Sequence, residues 1–245
     1  MADLGGLSSA VFADIAKEVG KEVVKSISEY LREVVFKSRY GNLDFVFTVQ
    51  LKFAEIIELD KASIVEDIVR ELGGKSKGSG LYQIKHGDTE LIVHVGYVLA
   101  EDWLGDVLVS YNENMEEMSS RGPYISEVKI DIIPLARTDI ANVIRDTCLF
   151  ILSMLKNVSN KLDVKLEEAI FLRVYGDSKD DLEKLRRKLE EIIKDSKDVV
   201  GIGNRVRLRL EETVNKPFLK VILERESLIP FINILVKVIA KRWFI

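Results

Sequence analysis

Three arginines alternate with aliphatic residues near the C-terminal end of the chain. Residues 205–210 read Arg-Val-Arg-Leu-Arg-Leu. Side chains on a β-strand point to opposite faces with a period of two. The segment therefore predicts a strand with one cationic face, formed by Arg205, Arg207 and Arg209, and one aliphatic face.

Two further segments extend this pattern across a predicted sheet. Strands predicted at 167–175 and 217–225 also alternate aliphatic residues with aromatic or basic ones. We expect the aliphatic sets to pack on helices, which leaves the other sets together on the opposite face. That face is predicted to carry Phe171, Arg173, Tyr175, Arg205, Arg207, Arg209, Phe218 and Lys220.

A face of this composition suits two kinds of partner. Aromatic rings stack on bases and arginines hold phosphates, so a single nucleic-acid strand is one of them. Arginine and aromatic residues are also enriched in protein–protein contacts. In that case the face packs on the first half of the chain or on a second copy, and its arginines are expected to pair with Glu167, Glu211 and Glu224.

The strand faces of this half resemble the arrangement of the RNA-recognition-motif family. Residues 170–175 read Ile-Phe-Leu-Arg-Val-Tyr, which is similar to that family's first strand. The resemblance implies RNA binding by the aromatic and basic face. It covers residues 164–245 at most, and the chain departs from it in two places. Residues 216–219 lack the glycines of the family's second motif, and no fourth strand follows the last predicted helix.

Residue types that commonly carry catalysis or bind metal are sparse. His86 and His94 lie on a predicted hairpin, roughly 17 Å apart, which is too far to share one metal ion. Cys148 lies on the apolar side of a predicted helix, where cysteine acts as a small hydrophobe. The glycine-rich segments 73–80 and 201–203 lack the spacing of phosphate-binding loops and are predicted turns. We predict no cofactor, no metal site and no catalytic residue, with a hydrolase or ligand-cavity protein as an alternative.

Composition and charge favour a cytoplasmic globular protein. The 245 residues are 47% apolar and 31% charged, which provides for a core, and the net charge of −4 argues against wrapping by nucleic acid. One cysteine allows no internal disulfide, and we recognise neither a signal peptide nor a membrane-spanning run. Glutamine is limited to Gln50 and Gln83 among many charged residues, a bias typical of thermophiles.

The first half is predicted to be a long helix followed by a β-α-β-β-β-β-α order. Hydrophobic periodicity and turn residues define these elements. Residues 75–80 are predicted to be a flexible polar loop. The predicted elements are a helix at 8–37, a strand at 43–53, a helix at 60–72, strands at 81–85, 90–99, 106–111 and 125–133, and a helix at 138–157.

The second half is predicted to follow a β-α-β-β-α order. This order is similar to a ferredoxin-like unit that lacks its closing strand. Because an open sheet edge is a liability, we expect the first half or a second copy to cover it. The boundary at 157–163 divides the chain into predicted domains at 1–157 and 164–245. The predicted elements are a strand at 167–175, a helix at 178–194, strands at 201–212 and 217–225, and a helix at 228–242.

These patterns together predict an α+β fold made of two halves, each a mainly antiparallel sheet with helices on one face. The last helix is apolar almost all round with a basic end, so we expect burial, with peripheral membrane contact as the alternative. We expect a non-enzymatic cytoplasmic binding or assembly protein that acts through protein–protein contacts. A second copy of the chain, in a homodimer, is the expected partner, and single-stranded RNA is the alternative.

Overall fold

A computed structural model describes residues 43–100, 124–135, 140–176, 178–195, 205–212 and 216–242. The predicted helix at 8–37 and the predicted strand at 106–111 lie outside these residues. Eight strands and five helices are found among them. The strands are β1 (Leu43–Glu58), β2 (Lys75–Gly78), β3 (Leu81–His86), β4 (Thr89–Leu99), β5 (Tyr124–Leu135), β6 (Leu166–Gly176), β7 (Val206–Glu212) and β8 (Pro217–Leu223). The helices are α1 (Leu59–Ala62), α2 (Ile64–Glu71), α3 (Ile140–Lys161), α4 (Lys179–Asp195) and α5 (Leu228–Arg242).

The eight strands form one antiparallel sheet in the order β2-β3-β4-β5-β1-β6-β8-β7. The α+β class is thereby confirmed. At the centre, β1 pairs with β6 from Leu43 opposite Gly176 to Phe53 opposite Leu166. The first half therefore covers the open edge of the ferredoxin-like second half.

The predicted boundary at 157–163 covers the end of α3 and the first residues of the connection to β6, two elements of one compact unit. That unit comprises residues Tyr40–Ile245. The division into 1–157 and 164–245 separates strands that share a single sheet. Alternation along a strand shows which side chains are buried, but it does not show which strand is the neighbour. The sequence pattern therefore could not predict that β6 pairs with β1.

The two halves repeat one topology about the central strand pair. In the second half, β6, α4, β7, β8 and α5 follow one another, and the strands lie in the order β6-β8-β7. In the first half, β1 is followed by α1 and α2, then by β4, β5 and α3, with the strands in the order β1-β5-β4. The β2 and β3 strands extend the first half at its outer edge. The sheet order is thus mirrored about β1 and β6.

The hydrophobic core lies between the sheet and the five helices. Alternation along β1 directs Phe47, Val49 and Leu51 to this side, where all three are fully buried. Full burial of one such side chain stabilises the fold by about 1.5–3 kcal/mol. Helix α4 begins after Ser178, whose hydroxyl accepts a hydrogen bond from the backbone N–H of Asp181 at 3.4 Å.

Helix α5 contributes its apolar side to the same core. Leu228, Phe231 and Leu235 are fully buried there. The burial expected for this helix is thereby confirmed for the buried apolar residues of its described part. Among the described residues, no helix has the length and apolar character needed to cross a membrane.

The predicted loop at 75–80 is wrong over its first four residues. These residues form β2, which pairs with β3 through contacts such as Ser76 opposite Tyr82. All four β2 residues are exposed, so no hydrophobic alternation marks the strand in the sequence. Backbone pairing with β3 defines the strand β2. Ser79 and Gly80 then turn the chain with positive φ angles.

Candidate contact surface on the open sheet face

The sheet has a second face, directed away from the five described helices, which we call the open face. Residues of β7 demonstrate the division between the two faces. Arg207 and Arg209 are exposed, whereas Leu208 between them is half-buried and packs against the core. The predicted sorting of guanidinium groups from aliphatic side chains is therefore confirmed.

Strand pairing brings three cations into one row across the open face. Arg173 of β6 lies directly opposite Lys220 of β8, and Lys220 lies directly opposite Arg209 of β7. We call these three residues the cationic row. Like charges in directly opposed positions destabilise a sheet, so a nearby carboxylate or aromatic ring stabilises each member of such a row. Arg173 and Lys220 have such neighbours, whereas Arg209 has no ion pair among the described residues.

Arg173 is compensated by the strands on its other side. Its Nη2 donates a hydrogen bond to Thr48 Oγ1 at 2.8 Å and lies 3.6 Å from Asp131 Oδ1. The Thr48 hydroxyl in turn donates to Asp131 Oδ1 at 2.5 Å. This network joins β5, β1 and β6, and it fixes one end of the cationic row.

Lys220 is compensated by a carboxylate and an aromatic ring. Its Nζ lies 3.5 Å from Glu211 Oε1 and 5.5 Å from the ring centroid of Phe171. A cation over an aromatic face is attracted by the ring's quadrupole. Phe171 is half-buried, and the ammonium group of Lys220 lies beside its ring.

Arg207 and Arg209 differ from the third arginine of their segment. Arg205 lies in the turn before β7, where Nε is 3.3 Å from Glu224 Oε2 and Nη1 is 3.9 Å from Glu226 Oε2. The pairing expected with Glu224 is thus present. For Arg207 and Arg209, no ion pair occurs with any residue that the structure describes. Two exposed guanidinium groups, without an ion pair among the described residues, therefore lie two positions apart on β7.

The other predicted aromatic residues pack on each other. Tyr175 and Phe218 are directly opposed on β6 and β8, with ring centroids 5.3 Å apart and planes tilted by 34°. Phe218 is buried and Tyr175 is half-buried. Phe171, Tyr175 and the cations of β7 and β8 together form what we call the contact surface.

The remainder of the open face contains both buried and exposed residues. Val46 and Ile92 are buried on it, as is Ile133. The half-buried aromatic residues Phe171 and Tyr175 and the exposed Arg207 and Arg209 lie at the end of the sheet formed by β6, β8 and β7, whereas the exposed Lys52, Lys85 and Lys129 lie on the rest of this face.

Sequence reasoning missed the polar row that ends at Arg173. His94 of β4 lies opposite Asp131 of β5, which lies opposite Thr48 of β1. Burial lowers the pKa of His94, although the carboxylates of Asp131 and Glu66 oppose this change, so the imidazole is neutral at pH 7. The strand register brings His94, Asp131 and Thr48 together, and the hydrogen bond to Thr48 adds Arg173, which itself lies opposite Val46.

Neither histidine belongs to a metal site within the described part of the chain, where no group of three or more potential ligands occurs. His86 lies opposite Thr89 across the predicted turn, and its ring packs edge-on against Phe150 at 5.8 Å. Cys148 is fully buried in the core, and burial raises the pKa of its thiol. Its expected behaviour as a small hydrophobe is confirmed.

A separate polar cluster lies between the sheet and α2. The carboxylate of Glu66 accepts hydrogen bonds from the hydroxyl groups of Tyr82 and Tyr97, the latter at 2.9 Å. Arg70 Nη2 lies 3.2 Å from the same carboxylate, and its guanidinium is 5.6 Å from the Tyr82 ring centroid. Because Tyr82 is almost fully buried, this cluster anchors α2 to the sheet.

Comparisons with known proteins identify no family for this chain. No family profile matches it, and no curated protein matches it. Among solved structures it is similar to the regulatory subunit of aspartate kinase from Thermus flavus, with 8% sequence identity and a TM-score of 0.24. That match covers 80% of this chain and 96% of the other. A likeness of this size leaves the family open.

Proposed function

We propose that this chain is a non-enzymatic binding or assembly protein that acts through protein–protein contacts of its contact surface. The observation that carries the proposal is the pair of half-buried aromatic residues, Phe171 and Tyr175, beside the exposed Arg207 and Arg209, which form no ion pair with the described residues. Aromatic residues and arginine are the types that contribute most to the affinity of protein interfaces. A second copy of the chain is the proposed first partner, in a homo-oligomer.

The arrangement of the rings favours a protein partner over a nucleic acid. Base stacking needs an accessible ring face. Tyr175 packs against Phe218, and the Lys220 ammonium group approaches Phe171. Carboxylates are also interspersed on this surface, as Glu211 beside Lys220 shows. Mixed charge around an aromatic centre is typical of a protein interface.

Light scattering over a range of protein concentrations tests this proposal. The wild-type chain is expected to show the mass of a dimer that dissociates on dilution. Phe171→Ala is expected to weaken dimerisation by about 30-fold or more, the effect of an interface residue worth about 2 kcal/mol. The matched control is Leu149→Ala, because Leu149 is an exposed apolar residue on α3, in the helical layer.

Two results would contradict the proposal. A wild-type chain that stays monomeric at all accessible concentrations would remove the second copy as partner. A dimer that Phe171→Ala leaves intact, while Leu149→Ala weakens it, would place the interface in the helical layer. Circular dichroism of each variant establishes that its fold is retained.

Single-stranded RNA is the second candidate partner, favoured by the exposed guanidinium groups of Arg207 and Arg209. Their positions suit contacts with phosphates, and such contacts weaken steeply as salt rises. Binding of a labelled uridine oligonucleotide at low salt, lost in the Arg207→Ala, Arg209→Ala double variant, would establish this function. Absence of binding at low salt would exclude it.

The cytoplasm is the compartment that we propose for this protein. Cys148 is a buried, unpaired thiol, which suits a reducing compartment. The proposal does not depend on any feature of the contact surface.

A further inference from the structure

We infer that the edge strand β7 accepts an extended acidic segment of a partner protein, with alternate carboxylates facing Arg207 and Arg209. This inference rests on the proposed function, since it concerns the same end of the sheet. It assigns to that end a second kind of contact, made by the strand edge and its arginines, beside the aromatic contact described above.

The position of β7 provides the first part of the argument. It is the last strand of the sheet and pairs only with β8 among the described strands. An edge strand presents backbone N–H and C=O groups that an added strand can pair with. The pairing of β7 with β8 runs without a register shift from Val206 to Glu212. A regular strand of this length is suited to accept another.

The opposite edge of the sheet provides a contrast. There β2 has only four residues, and its pairing with β3 shifts register between Ser76 and Gly78. Two of the four residues are lysines, and the strand ends at a glycine with positive φ. Short length, irregularity and lysine are the features that protect an edge from further pairing. The two edges of this sheet therefore differ in their capacity to accept a strand.

The spacing of the arginines provides the second part. Arg207 and Arg209 are two residues apart on one strand, which separates them by about 6.8 Å. An added strand with acidic residues at alternate positions repeats its carboxylates at the same interval. Each carboxylate can then meet one guanidinium, and charge-assisted hydrogen bonds of this type are the stronger ones.

The cationic row provides the third part. Arg209 lies opposite Lys220, so its charge is destabilising until an anion approaches. Lys220 has Glu211, whereas Arg209 has no carboxylate partner among the described residues. A second copy of the chain would bring the same arginines to the edge, which disfavours self-pairing there. An RNA strand would supply anions but no backbone groups for the ladder, so a peptide fits both features.

Fluorescence anisotropy with a labelled peptide tests this inference on the full chain. The probe is an extended peptide of about seven residues in which Thr and Glu alternate, the length of a typical strand. A peptide with Gln in place of Glu controls for charge. A third peptide, N-methylated at alternate backbone positions, controls for strand pairing. Arg207→Ala with Arg209→Ala is the test variant, and Lys188→Ala with Lys194→Ala on the exposed side of α4 is the matched control.

The expected result is selective binding of the acidic peptide by the wild-type chain. The double arginine variant should weaken it by about tenfold or more, as the loss of charge-assisted hydrogen bonds implies. The α4 variant should leave the affinity unchanged within about twofold, because its cations are exposed on the helical side of the sheet, opposite to the face of Arg207 and Arg209. N-methylation should weaken binding as strongly as loss of the arginines.

Several outcomes would overturn the inference. Equal binding of the Glu and Gln peptides would remove the role of charge, and equal binding of the N-methylated peptide would remove the strand edge. Binding of a uridine oligonucleotide without binding of the peptide would assign the arginines to nucleic acid. If the peptide does not bind while Phe171→Ala abolishes dimerisation, the inference falls and the proposed function stands.

Discussion

Identical residue types serve different purposes on this protein because their immediate neighbours differ. Arg173 is held by Thr48 and Asp131 and joins three strands. Arg209 is exposed and has no carboxylate partner among the described residues, and we propose it as a contact for a partner. The sequence presents both as arginines alternating with aliphatic residues. Only the cross-strand register separates the structural arginine from the available one.

The Glu66 cluster provides a test at the scale of single residues. Burial and the hydrogen bond to Glu66 raise the pKa of Tyr82 from 10.0 to about 12, and the same causes raise the pKa of Tyr97. A pKa raised on folding gives a contribution to stability that is complete below pH 10. That contribution is lost as the pH rises from about 10 through about 12. Denaturation with urea at increasing pH is expected to show this decline.

Glu66→Gln should reduce this dependence on pH and lower the free energy of unfolding at pH 7. Hydrogen bonds to a charged group suggest a loss of about 1–3 kcal/mol. Glu71→Gln on the same helix is the control, because Glu71 forms only an exposed pair with Lys161 at 2.5 Å. Exposed pairs of this kind contribute about 0–1 kcal/mol. Equal losses in the two variants would show that the Glu66 cluster does not anchor α2.

At the scale of elements, the sequence predicted most strands and helices from their periodicity. The alternation in 43–53 correctly identifies the buried side of β1, and Gly87 and Asp88 correctly mark the turn between β3 and β4. The sequence-based prediction missed β2, which has no buried residue, and it placed the end of β1 before Glu58. The sequence correctly placed Phe171, Tyr175, Arg207 and Arg209 on one face of the sheet, whereas Arg205 lies in the turn before β7. The sequence could not predict which residues of neighbouring strands lie opposite one another, since register depends on tertiary pairing.

The pairing of β1 with β6 predicts that both halves unfold together. Leu172 is fully buried on β6, and Leu172→Ala is expected to cost about 2–5 kcal/mol. Because the sheet is continuous, backbone amides of β4 in the first half should lose as much protection from hydrogen exchange as those of β8. Native-state hydrogen exchange measures both strands. Unchanged exchange in β4 would show that the halves unfold as separate domains.

At the scale of the whole molecule, the helical side of the sheet forms the core, and we propose that the open face binds partners. Five helices bury one side of the sheet, while the accessible part of the other side presents aromatic and cationic residues without a described element against them. The repeat of topology about β1 and β6 places two similar halves in one sheet. Only the second half bears the arginine strand at its outer edge. The asymmetry favours a role for that end of the sheet in binding.

Photochemical crosslinking tests the central claim most directly. A benzophenone-bearing amino acid replaces Phe171 in one variant and Leu149 in another, and each is irradiated at the highest accessible protein concentration. If the contact surface binds a second copy, position 171 forms a covalent dimer and position 149 does not. Mass spectrometry then locates the bond on the second copy. A dimer linked only through position 149, or no dimer from either position, would contradict the claim.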